Sequence, residues 1–145
     1  IVIGGSRIMA GVGDREKQVQ RQMAAMAESV MDTGGGDLGR YVSRKYMDED
    51  TGLDYRDLRS ALREGTEDLV LEFDPSTGIE FLSTDSEGDD AICTIRLCCL
   101  LKKRVPGQAP QPYWDLEAVL DLRLLRGTWK VIRSREVNHS ARGRA

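Results

Sequence analysis

Side chains able to do chemistry are few in this sequence. Tyr41, Tyr46 and Tyr55 fall close together in the first half. By type they suit polar contacts to a ligand in a pocket, although amphipathic core tyrosines with hydroxyls reaching solvent are the simpler reading. Arg133 and Arg135 sit two apart near the end of the chain. They suit an anion at a pocket mouth, or else finish a strand in water. The three cysteines are Cys93, Cys98 and Cys99. An odd number with two adjacent is no disulfide framework, and without a CxxC pair a structural zinc site is not expected. Cys93 and Cys99 read as small buried hydrophobes, because no neighbouring His or Lys activates them. The single histidine, His139, rules out a histidine-rich metal centre and HExxH chemistry. Serine-hydrolase elbows, phosphate-binding loops and dinucleotide glycine patterns are also missing.

Two polar stretches deserve weighing. Thr33-Gly34-Gly35-Gly36-Asp37 is similar to an anion-binding helix start. It lacks the lysine of a phosphate loop and Asp37 would repel phosphate, so a flexible connector is the expectation. Asp85-Ser86-Glu87-Gly88-Asp89-Asp90 is acidic enough to attract calcium. Its spacing misses an EF-hand loop, so it reads as a solvated turn. No catalytic residue, metal or cofactor is assigned from the sequence.

The elements that must carry these groups change period midway. Val19, Met23, Met26, Ala27 and Val30 form one apolar stripe, which predicts a helix over about Asp14 to Met31 capped by Asp14. Asp37 is expected to open a short second helix with Leu38, Tyr41 and Val42 on one face. Asp54 opens a third, with Tyr55, Leu58, Ala61 and Leu62 on one side, ending near Gly65. From Leu69 the period becomes two. Leu69, Leu71 and Phe73 alternate, then Ile79 and Phe81. A long strand follows with Ala91, Cys93, Ile95, Leu97, Cys99 and Leu101 on one parity. Val105 to Pro112 is a proline-rich loop. The next strand turns Trp114, Leu116, Ala118, Leu120, Leu122 and Leu124 one way, and Asp115, Glu117, Asp121 and Arg123 the other. After a turn at Arg126-Gly127, Trp129 and Val131 continue the apolar face. Arg133 and Arg135 continue their parity. Such alternation predicts an antiparallel sheet with one face buried.

Helices followed by a sheet give an α+β order. The expected fold class is a cone-shaped roll of three N-terminal helices packed on a strongly bent antiparallel sheet. The 145 residues fit one domain. It is placed at 14–137, with a flexible N-terminal segment at 1–13 and a C-terminal tail at 138–145. The composition, 40% hydrophobic and 31% charged, predicts a soluble chain with one ordinary core. No apolar run approaches the roughly 18 residues of a membrane span. The net charge of −3 hides two blocks. From Asp48 to Asp90 there are 15 acidic and 3 basic residues; the remainder has 9 acidic and 18 basic. Dispersed basic residues, a pI near 5.3 and no aromatic–basic platform argue against nucleic acid. The lack of paired cysteines favours the cytoplasm. If Ile1 to Gly5 ends a signal or anchor segment, the domain is exported.

The long first helix, the Gly36-Asp37 helix start with Tyr41 and Tyr46, the helix from Asp54 and the closing Gly127-Thr128-Trp129-Lys130-Val131-Ile132 together carry a resemblance. Over about residues 14–137 the pattern resembles the nuclear-transport-factor-2-like cone fold, the superfamily of SnoaL-type cyclases and ketosteroid isomerases. The resemblance implies a conical pocket between helices and sheet and frequent dimerisation through the outer sheet face. Members include enzymes, ligand binders and interaction modules, so fold does not give function. Enzymes of this fold turn carboxylates, Tyr or His inward. Here the inward positions of both long strands are aliphatic, Cys or Trp, and Met47 to Leu53 lacks a counterpart of the isomerase general-base motif. The expectation is a non-catalytic binding or assembly module, a homodimer through the outer sheet face. The alternative is a small apolar ligand, or isomerase- or dehydratase-like chemistry, in a cone pocket lined by Tyr41, Tyr46, Tyr55, Phe81, Trp114, Trp129 and Arg133.

Overall fold

The structure, a computed structural model, describes residues 14–67, 71–73, 78–85 and 91–141. The chain opens with helix α1 (Asp14–Thr33), where Val19 and Met23 are buried and Met26 and Ala27 pack beside them. The apolar stripe therefore does what its spacing requires. Gly34 and Gly35 stop the helix with φ of +66° and +89°. Only glycine suits both positions, because a Cβ at Gly34 would also stand 3.0 Å from the Thr66 hydroxyl.

The expected second helix is a single 3-10 turn, Leu38–Arg40, and the chain then enters strand β1 (Val42–Asp48). Asp37 does not cap that turn; its carboxylate accepts a hydrogen bond from Ser29 on α1. The fold thus has two helices where three were expected. The spacing of Leu38, Tyr41 and Val42 fits a helix, but β1 is held by pairing parallel to the last strand, a contact no local pattern announces. Helix α2 (Tyr55–Thr66) starts at Asp54 as expected. Asp54 accepts from the Asp57 amide at 2.9 Å and Asp57 accepts from the Asp54 amide, a reciprocal cap.

Five further strands follow: β2 (Leu71–Phe73), β3 (Gly78–Asp85), β4 (Ile92–Lys103), β5 (Gln111–Leu125) and β6 (Thr128–Ala141). They form a six-stranded sheet in the order β1-β6-β5-β4-β2, with β3 also on β4. All pairs are antiparallel except β1 with β6. Strand β6 runs through Ala141, so Asn138 to Ala141 pair with β5 where a tail was expected. Residues 1–13 and 142–145, the Asp85–Asp90 turn beyond β3 and Leu69 lie outside the described residues.

The predicted parity holds along the first half of β4, whereas in the middle of β5 Ala118 to Leu122 are buried on both parities, Val119 and Asp121 included. Cys93, Ile95, Ala118, Leu120 and Leu122 join Val19, Met23, Leu38 and Trp129 in one core. Burying each of the larger aliphatic chains contributes about 1.5–3 kcal/mol. At the far end of the row Trp114 is half-buried and outside that core, and Tyr113 is the buried residue, donating to the Gly65 carbonyl on α2. Register shifts interrupt four of the five strand pairs. The one in β6 at Ile132 matters most. Leu122 faces Val131, yet Asp121 faces Arg133, so one residue is inserted and parity reverses. Ser134 therefore turns inward, and Arg133 and Arg135 turn to the outer face.

Candidate functional site

The buried polar groups converge where β1 meets β6. Asp48 and Ser134 are register partners in the parallel pair, and Tyr46 stands two residues earlier on β1. The Ser134 hydroxyl donates to Asp48 Oδ2 at 2.8 Å and lies 2.5 Å from the Tyr46 hydroxyl. Since Ser134 has one proton and gives it to the carboxylate, Tyr46 is the donor to Ser134. Asp48 Oδ1 accepts the amides of Asp50 and Thr51, and its own amide donates to the Leu53 carbonyl. Gly52, with φ of +77°, lets the turn close on itself. The result is a directed string, Tyr46 to Ser134 to Asp48, in which every residue is buried.

The chemistry of this string is set by its surroundings. Burial acts to raise the Asp48 pKa, but the bonds from Ser134 and the two backbone amides outweigh it and hold the carboxyl below its ordinary value. Burial pushes the Tyr46 phenol up, with the Asp48 charge adding to the push. At neutral pH the string is thus a carboxylate, a hydroxyl and a neutral phenol. Its proton positions are fixed by bonds made within the protein. A general base needs a pKa near the working pH and a free lone pair. Asp48 has neither.

On the outer face, the buried Asp121 carboxylate accepts Arg133 Nε and Arg135 Nη1, both at 2.8 Å, and the Thr94 hydroxyl at 2.7 Å. Arg133 also reaches Glu49 at 3.1 Å, which ties the outer face of β6 to the turn after β1. Burial acts to raise the Asp121 pKa, and the bonds from Arg133, Thr94 and Arg135 bring it below the ordinary value. A cleft of about 180 Å³ opens near this network, lined by Arg96, Glu117, Ala118, Val119 and Glu136. A second, of about 600 Å³, lies between β1 and α2, lined by Arg44, Asp54, Tyr55, Arg56 and Arg59. Among the described residues no group of three His, Cys, Asp or Glu side chains is placed to hold a metal. No helix there is long and apolar enough to cross a membrane.

The candidate pocket residues divide accordingly. Tyr46 and Trp129 are in the core, and Tyr41, Tyr55 and Phe81 pack against it. The Trp129 indole donates to Gln18 on α1 at 3.2 Å. The structure does not bring Trp114 and Arg133 to this group. The inward carboxylate, Asp48, lies on β1, outside the two long strands whose alternation sets the inward positions expected from sequence. Tyr46 and Asp48, two apart and both buried, are the only part of β1 with a strand period.

The two helices, the parallel β1–β6 pair and the antiparallel meander define a nuclear-transport-factor-2-like fold. Solved structures share it. A protein of unknown function from Mycobacterium tuberculosis superposes with a TM-score of 0.64 at 15% identity, over 87% of this chain and 76% of its own. A conserved protein from Planctomyces limnophilus gives 0.61 at 13% identity, over 87% and 98%. An NTF2-like protein with a cystatin-like fold from Novosphingobium aromaticivorans gives 0.56 at 15%, over 96% and 86%. No family model matches the sequence, and no curated protein matches it.

Proposed function

We propose that this chain is a non-catalytic binding or assembly module that pairs with a second copy through its outer sheet face. The observation that carries the reading is the occupancy of the space between helices and sheet. Val19, Met23, Leu38, Ile95, Leu122 and Trp129 fill it, each at most 2% exposed. The polar string beside them makes its bonds within the protein. Binding then falls to the outside of the molecule. The outer face carries both signs, with Arg96 across from Glu80 on β4 and β3, and Arg133 and Arg135 of β6 beside Asp121 of β5. Such a face is self-complementary about a two-fold axis, and a stable pairing needs about 800 Å² from each partner.

Sedimentation equilibrium over micromolar concentrations tests this. A dimer weakened about tenfold or more by Arg96→Glu is expected, the size of one desolvated charge pair lost and one repulsion gained. A strict monomer over the whole range discards the pairing. Saturable one-to-one binding of an apolar fluorescent probe, lost on Leu122→Phe, would instead favour the cone-pocket alternative with Tyr41, Tyr46 and Tyr55 as its polar contacts.

A further inference from the structure

The cleft between β1 and α2 carries three arginines against one carboxylate, Asp54, whose charge attracts Arg56. Arg44 projects from β1, and Arg56 and Arg59 from the first turns of α2. All three are exposed and line one space of about 600 Å³. The Arg44 guanidinium carbon sits 5.7 Å from the centre of the Tyr55 ring, within reach of a cation–π contact that orients its planar fork. None of the three makes an ion pair among the described residues.

Of the carboxylates on β1, the turn after it and the start of α2, only Asp54 lines the cleft. Asp48 is held by Ser134 and two amides. Glu49 meets Arg133, and Asp50 accepts the Glu136 amide at 2.7 Å. Asp54 lines the cleft, but its carboxylate accepts the Asp57 amide, and Asp57 accepts the Asp54 amide. The helix start is therefore capped by its own side chain and offers a ligand nothing. What remains open is three guanidinium forks against one carboxylate, in a stretch of chain otherwise strongly acidic.

We propose that this cleft binds a small diffusible phosphate compound through Arg44, Arg56 and Arg59. Guanidinium forks match phosphate oxygens two at a time, and a phosphate with two charges balances the surplus left after Asp54. The volume falls within the range of small-ligand sites, about 300–1,000 Å³. The site is outside the cone and separate from the outer sheet face, so it stands or falls apart from the pairing proposed above.

The test is calorimetric titration of the full chain at low salt with inorganic pyrophosphate and, separately, with glycerol 3-phosphate. Saturable binding of one equivalent is expected. Each of Arg44→Gln, Arg56→Gln and Arg59→Gln should weaken it on the order of fivefold, the size of one partly exposed charged contact. The triple variant should abolish it. Arg21→Gln, at an exposed position on α1 outside the cleft lining, should leave it unchanged. Thermal melting of each variant confirms that the fold persists. Two results would overturn the proposal: no saturable binding of either compound, or binding that survives in the folded triple variant. Co-sedimentation with phosphatidic acid vesicles without binding of the soluble compounds would equally overturn it.

Discussion

Replacing Ser134 by alanine removes one oxygen that carries two buried hydrogen bonds. The bond to Asp48 is charge-assisted, and losing such a bond costs about 1.5–3 kcal/mol. The Tyr46 hydroxyl, itself buried, is left without its acceptor at a further cost of about 1 kcal/mol. The sum is about 3 kcal/mol. It should appear in urea denaturation at pH 7 as a lower midpoint with an unchanged slope. Tyr46→Phe alone removes only the weaker bond and should cost about 1 kcal/mol. On the Ser134→Ala background it should cost nothing, since the orphaned hydroxyl leaves with it, giving a coupling of about 1 kcal/mol. The pH dependence follows from the direction of the Asp48 shift. Its folded-state pKa is depressed, so its contribution is present above the unfolded value of about 3.9 and is lost as pH falls through the folded value. Ser134→Ala removes part of that depression, so the gap between the two proteins should narrow below about pH 4. A loss under about 0.5 kcal/mol, strict additivity with Tyr46→Phe, or a gap independent of pH would each refute the string.

Asp121→Asn should destabilise by about 1–2 kcal/mol in the same assay, less than for a fully buried pair because Arg133 and Arg135 are 41% and 32% exposed. Its depressed pKa gives the same sign as for Asp48: the cost should be full above about pH 3.9 and shrink below it. Arg126 sits at φ of +50° before Gly127 at +80°, a two-residue hairpin that favours Asn-Gly. Arg126→Asn should therefore raise stability by about 0.5–1 kcal/mol, read as a higher denaturation midpoint. The thiols should be inert in the folded protein. Cys93 is fully buried, burial and Asp115 push the Cys99 thiol to about 12, and burial and Glu117 raise Cys98. Ellman's reagent at pH 8 should label them slowly in the folded state and all three rapidly in denaturant, and a fast native thiol would contradict this.

Much of the fold was legible because burial imposes a period on residue type. The stripe from Val19 to Ala27 and the alternation along β4 and β5 each follow from one apolar face meeting one core. The cap at Asp54 was legible for a similar reason, since the side chain and the amide it satisfies are three residues apart. Strand β1 was not, because Leu38, Tyr41 and Val42 satisfy helical spacing and the partner that decides the matter lies on β6. The reversal at Ile132 was not either. A bulge adds one residue without changing composition, and Ile132, Arg133 and Ser134 read equally well in either register.

The sequence by itself determined the helix-then-sheet order, the apolar lining and the uneven spread of charge, because each is a property of neighbours along the chain. Only the tertiary structure decided which polar groups meet. Asp48 and Ser134 are 86 residues apart, and so are Asp50 and Glu136. Arg44 joins Arg56 and Arg59 only because β1 and α2 flank one cleft. Hydrogen bonds and charge pairs act over a few ångströms of space, whereas a sequence orders residues by bonds.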